Sequence, residues 1–78
     1  MKYSIKKLIL EIDGIEVNAT PVPKNELEKV RSELENDGQK LSCSCGDQWC
    51  SPNGYLWVCN LGNGNNCEWF STDWRCNP

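Results

Sequence analysis

All six cysteines of this chain (Cys43, Cys45, Cys50, Cys59, Cys67 and Cys76) lie in its second half, beside all four tryptophans, Trp49, Trp57, Trp69 and Trp74. Between Cys43 and Cys76 the other large apolar side chains are Tyr55, Leu56, Val58, Leu61 and Phe70. So few aliphatics cannot close a core unaided. At 78 residues the chain is also near the size at which hydrophobic burial barely exceeds chain entropy. The sulfurs must therefore be tied together, either as disulfides or as thiolates converging on a metal ion. That choice sets the compartment, and with it the range of partners.

The first residues weigh on the choice. Lysines at positions 2, 6 and 7 precede only a short apolar run, broken by Glu11 and Asp13. That is too short for a signal peptide or a membrane span, so the expectation is a cytosolic protein. Disulfides rarely persist there, and clustered cysteines are more often metal ligands. Structural zinc is accordingly expected. The spacing runs Cys43-x-Cys45-x4-Cys50-x8-Cys59-x7-Cys67-x8-Cys76, with Gly46 after Cys45 able to turn backbone amides toward sulfur. Cys45, Cys50, Cys67 and Cys76 form the preferred ligand quartet, with Cys43 and Cys59 in reserve as small apolar groups. A hairpin between Cys59 and Cys67 would bring those two together instead, so the choice of four stays open. The competing account pairs all six sulfurs in disulfides, with a connectivity that spacing does not settle.

The first half reads as a ββα unit over residues 1–40, followed by the cysteine-rich half over 41–78, the two packed as one α+β domain. Asp13-Gly14 is a dipeptide that two-residue type I′ turns prefer. With that turn Ile12 faces Ile15, Leu10 faces Val17 and Leu8 faces Ala19, all on one side of a β-hairpin. Thr20-Pro21-Val22-Pro23 stops the second strand. A helix follows, entered through Pro23 or capped by Asn25 with Glu28 three residues on. Leu27, Val30 and Leu34 give it a narrow apolar stripe, expected to cover the hairpin, and Gly38 ends it. In the second half, residues 55–60 and 67–71 read as another hairpin around the Gly- and Asn-rich loop 60–66.

The helix also carries Glu26, Glu28, Glu33, Glu35 and Asp37 against Lys29 and Arg31. Glu35 and Asp37 stand at the end where the helix dipole disfavours acid, so dipole compensation does not explain the run. Its bland reading is a solvated face. Its functional reading is an acidic ridge offered to a basic protein surface. The net charge of −3 agrees with a basic partner and lacks the footprint of nucleic-acid binding. Trp57 and Trp69 lie in expected strands and read as core, whereas Trp49 and Trp74 fall in loops and read as exposed anchors of an interface. Catalysis is not expected. The chain has no histidine, hence neither the ordinary general base nor a Ser/His or Cys/His pair, and no Gly-rich phosphate cradle.

A very small, acidic chain without catalytic residues, opening on the ββα unit and closing on the cysteine-rich tail, resembles the phage-encoded anti-CRISPR inhibitors, most closely a zinc-binding member of the type II-A class. The likeness runs over the full length and rests on no shared motif, so it carries over no site residue. It implies a cytoplasmic monomer in an infected bacterial cell that binds a type II RNA-guided CRISPR endonuclease and blocks loading or cleavage of target DNA. Such nucleases hold nucleic acid in positively charged channels, to which an acidic ridge is complementary. Two other classes fit the composition. One is a secreted disulfide-rich module that binds carbohydrate through exposed tryptophans. The other is a modified-peptide precursor with residues 1–40 as leader.

Overall fold

A computed structural model describes residues 5–76. The first hairpin forms as its sequence dictates. Strand β1 (Leu8–Ile12) and strand β2 (Ile15–Pro21) meet antiparallel, with Ile12 opposite Ile15, Leu10 opposite Val17 and Leu8 opposite Ala19. Asp13 and Gly14 both take positive φ, 52° and 80°, as the type I′ turn requires. A short 3-10 turn at Lys24–Glu26 leads into helix α1 (Leu27–Asn36). No side chain caps the start of α1, so neither Asn25 nor Glu28 has the capping role expected of it. The end closes as anticipated: Gly38 adopts φ 78° and donates to Glu35 O at 3.1 Å, while Gln39 N donates to Leu34 O at 2.8 Å. Those two bonds are the Schellman pattern, which satisfies carbonyls the last turn would leave unpaired.

Three more strands complete one sheet: β3 (Gln48–Cys50), β4 (Tyr55–Leu61) and β5 (Cys67–Arg75). The order across it is β1-β2-β5-β4-β3, all antiparallel, so the last strand returns to the middle and joins the two halves. Among the described residues no helix is long and apolar enough to cross a membrane.

The register decides which side each residue faces. Thr20 lies opposite Ser71, Ser71 opposite Trp57, and Trp57 opposite Trp49, while Cys59 lies opposite Trp69. This is the side that α1 covers. Val30 and Leu34 pack with Trp49, Cys59 and Trp69, flanked by Val22, Leu41, Cys43, Trp57 and Cys67. The hairpin's apolar residues stand on the reverse side, because Ala19 neighbours Thr20 and pairs with Thr72. The expectation that α1 covers the first hairpin is therefore corrected. Its stripe buries Trp49 and Trp69, whose wide rings supply the apolar area that the aliphatics of the second half cannot. Indole N–H groups fix the docking: Trp49 donates to the Asp37 carboxylate at 2.9 Å and Trp69 to Lys40 O at 3.0 Å. On the reverse side Phe70 is fully buried and pairs in register with Val58 and Pro21.

The sulfurs pair as Cys43–Cys59, Cys45–Cys67 and Cys50–Cys76. Structural zinc is overturned, and with it all six candidate ligands. No thiol remains free, and no group of three or more metal-ligating side chains occurs among the described residues. Pairing alone removes Cys43 and Cys59 as ligands, and for the preferred quartet geometry adds a second reason. The preferred quartet separates into the pairs Cys45–Cys67 and Cys50–Cys76. Cys67 lies opposite Leu61, while the Cys76 N–H reaches Gly54 O beside Tyr55. The two pairs thus sit at opposite ends of β4, about 20 Å apart at the usual rise per residue. No single ion spans that. The bridges enclose sequence separations of 16, 22 and 26, and loops of this size remove about 3 kcal/mol of unfolded-state entropy each in the chain-entropy model. Disulfides of this kind form and persist in oxidising surroundings, which corrects the cytoplasmic expectation.

Candidate functional site

A helix of ten residues spans only about 15 Å, so α1 leaves part of its side of the sheet open. The uncovered part has a definite chemistry. Tyr55 and Trp57 alternate along β4 and are both half-buried. Beside them run polar groups of β2 and β5. The Thr20 and Ser71 hydroxyls lie 3.1 Å apart. Asp73 accepts from the Asn18 backbone N–H at 3.0 Å and from the Asn18 amide at 3.3 Å. The Arg75 guanidinium stands 4.8 Å from the Tyr55 ring centre, a cation–π contact at the end of the aromatic row.

A local irregularity makes room for this patch. Tyr55 pairs with Arg75 and Trp57 with Ser71, so β5 carries extra residues opposite Leu56. Thr72 stitches the bulge by donating to Leu56 O at 2.6 Å and accepting from Trp74 N at 3.2 Å. The result is a shallow cleft of about 350 Å³ lined by Asn53, Tyr55, Trp57, Ser71, Thr72 and Asp73. Apolar ring faces in the middle with donors and acceptors at the edge suit a ligand built the same way.

The reverse side holds a larger groove, about 610 Å³. Leu10, Ile12, Leu56, Val58 and Trp74 give it apolar walls. Glu11, Asp13 and Asp47 stand around it, with Arg75 as the basic group among its lining residues.

The residues singled out from the sequence are distributed unevenly over these surfaces. On α1 and its approach, Glu26, Glu28 and Glu35 are exposed, Glu33 is half-buried, and Glu28 holds Arg31 at 3.3 Å. Asp37 is drawn out of the ridge by the Trp49 indole. Trp49 itself is only 5 % exposed, beneath the helix, and is no surface anchor. Its ring lies 5.5 Å from that of Trp57 and 6.3 Å from that of Trp69. Trp74 is half-buried and does reach a surface, the reverse groove. Sequence reasoning passed over Asn18, Thr20, Ser71, Asp73 and Arg75. The alternation of Tyr55 and Trp57 was the available signal; the polar row came from β2, a strand whose pairing with β5 no local pattern announces.

Comparison with protein-family models, with curated proteins and with solved structures finds no match to this chain.

Proposed function

We propose that this chain is a non-catalytic carbohydrate-binding module acting in an oxidising, extracytoplasmic setting, with the cleft beside Tyr55 and Trp57 as its site. The observation that carries the reading is the aromatic row on β4 set against the polar row of Asn18, Thr20, Ser71 and Asp73. A pyranose has an apolar C–H face and a rim of hydroxyls. Tyr55 and Trp57 match the first, while the Thr20 and Ser71 hydroxyls, the Asn18 amide and the Asp73 carboxylate match the second. The rings differ from those first expected: Trp57 replaces Trp49, and Tyr55 contributes in place of a second tryptophan. The three disulfides agree with the secreted setting.

Titration of the oxidised protein with soluble oligosaccharides of glucose, N-acetylglucosamine, mannose and xylose, followed by tryptophan fluorescence, tests this. Saturable binding that Tyr55→Ala weakens at least about ten-fold is expected, since stacking against a ring carries much of such affinity. Failure of every sugar, or binding indifferent to Tyr55→Ala, removes the reading.

The second reading is inhibition by docking the acidic helix surface on a basic protein, the role implied for an anti-CRISPR inhibitor. Exposed Glu26, Glu28 and Glu35 favour it. A nuclease of the reducing cytosol is the harder target for a chain stapled by disulfides. A folded Glu28→Lys, Glu33→Lys, Glu35→Lys variant should lose inhibition of a type II nuclease in a DNA-cleavage assay; undiminished inhibition would exclude that face.

A further inference from the structure

The reverse groove has two boundaries that the carbohydrate reading does not use. Strand β1 is an edge of the sheet, and four consecutive residues from Leu10 to Asp13 line the groove. Consecutive residues point to opposite sides of a strand, so the groove is bounded by the backbone edge of β1, not by one of its faces. Gly46, Asp47 and Gln48, at the entry to the other edge strand β3, bound the far side.

The hydrogen bonds of β1 can be assigned from its turn. In a two-residue type I′ hairpin the flanking pair, Ile12 and Ile15, is hydrogen-bonded, and bonded pairs then alternate to Leu10 with Val17 and Leu8 with Ala19. The N–H and C=O groups of Ile9 and Glu11 therefore point away from β2. The partner strand supports the assignment, because Asn18, opposite Ile9, turns its N–H outward to meet Asp73. On β1 no protein group meets the equivalent atoms among the described residues, and Ile9 is 63 % exposed.

We infer that this groove receives an extended polypeptide segment of alternating apolar and basic residues, which adds to the sheet as a sixth strand along β1. The free edge supplies main-chain bonds at Glu11 within the groove and at Ile9 just beyond its end, and the walls of Leu10, Ile12, Val58 and Trp74 take the apolar side chains. Charge sets the rest of the occupant's chemistry. Glu11, Asp13 and Asp47 outnumber Arg75 around the opening, so lysine or arginine at the alternate positions is favoured and acid is opposed.

Isotope-labelled, fully oxidised protein titrated with a capped peptide of alternating valine and lysine tests the inference by NMR. The Ile9 and Glu11 amides should shift and exchange with solvent at least about ten-fold more slowly in the complex, with shifts also at Gln48. An otherwise identical valine–glutamate peptide should bind at least about ten-fold more weakly, and one with N-methylated backbone amides should not bind. Glu11→Lys should weaken binding about ten-fold, while Glu28→Lys and Ser71→Ala leave it unchanged. Those two controls separate this site from the helix ridge and from the sugar cleft. Absence of binding, shifts confined to α1, equal affinity for the acidic peptide, or self-association through β1 without peptide would each overturn the inference.

Discussion

At the scale of single residues, Asp37 shows how far a side chain's type can mislead about its role. In sequence it belongs to a run of acids on a helix, two of them at the end where the dipole disfavours them. In the fold it accepts a hydrogen bond from the Trp49 indole at 2.9 Å, and Trp49 is buried. Asp37→Ala removes a charge-assisted bond at the edge of the core, and because Asp37 itself is exposed, water can reach the indole N–H, so the cost is about 0.5–1.5 kcal/mol. Urea denaturation followed by tryptophan fluorescence should show the lowered midpoint. Glu28→Ala is the control: Glu28 meets only Arg31 on an exposed surface, and its removal should leave the midpoint where it was. Nothing local in the sequence distinguishes the two acids. The difference depends on a tryptophan twelve positions away, and the loop containing it had every mark of an exposed segment.

At the scale of elements, the parts set by neighbouring residues were legible and those set by distant ones were not. The hairpin register follows pair by pair from Asp13-Gly14 and the alternation of apolar residues, because a one-residue slip would reverse every side chain. The strands on either side of loop 60–66 were equally readable, although β5 extends to Arg75, well past the expected end at Ser71. The helix was readable as an amphipathic segment, but an apolar stripe does not name its partner. Leu27, Val30 and Leu34 would cover aliphatics or indoles alike, and the pairing of β2 with β5 put the hairpin's apolar side out of their reach. The helix end offers a clean test of local logic. Gly38 holds φ 78° and has no atom within 4 Å of where a Cβ would stand, so Gly38→Ala meets backbone strain without a clash. The expected loss is about 1–2 kcal/mol, read as a lower thermal midpoint with unchanged disulfide pairing. A larger loss would mean that the Gln39–Leu34 bond, and with it the approach to Trp69, depends on the same glycine.

For the whole molecule, the sulfur count announced a staple and left its nature to the compartment. Reading the short, charged start of the chain as cytosolic tipped the choice toward zinc, and the three pairs reverse it. Their positions assign different tasks. Cys43–Cys59 and Cys45–Cys67 fasten the connection after α1 to β4 and β5, next to the tryptophans, and Cys59 is 3 % exposed. Cys50–Cys76 joins the ends of β3 and β5, and Cys50 is exposed. Removing the first pair with Cys43→Ala and Cys59→Ala takes away loop closure and also leaves space beside Trp49 and Trp69. It should therefore exceed the usual 2–5 kcal/mol for a native bridge in a small domain and abolish the near-ultraviolet circular dichroism of the packed indoles. Cys50→Ala with Cys76→Ala should retain that signal, because the helix and its tryptophans keep their contacts, while loosening the wall of the reverse groove where Cys76 stands. Full reduction should unfold the chain, read as loss of the same near-ultraviolet signal, because the second half has too few aliphatics to hold the packed indoles without its bridges. If both double variants lost the indole signal equally, the separation of tasks would fail, and the three bridges would have to act as a single cooperative closure.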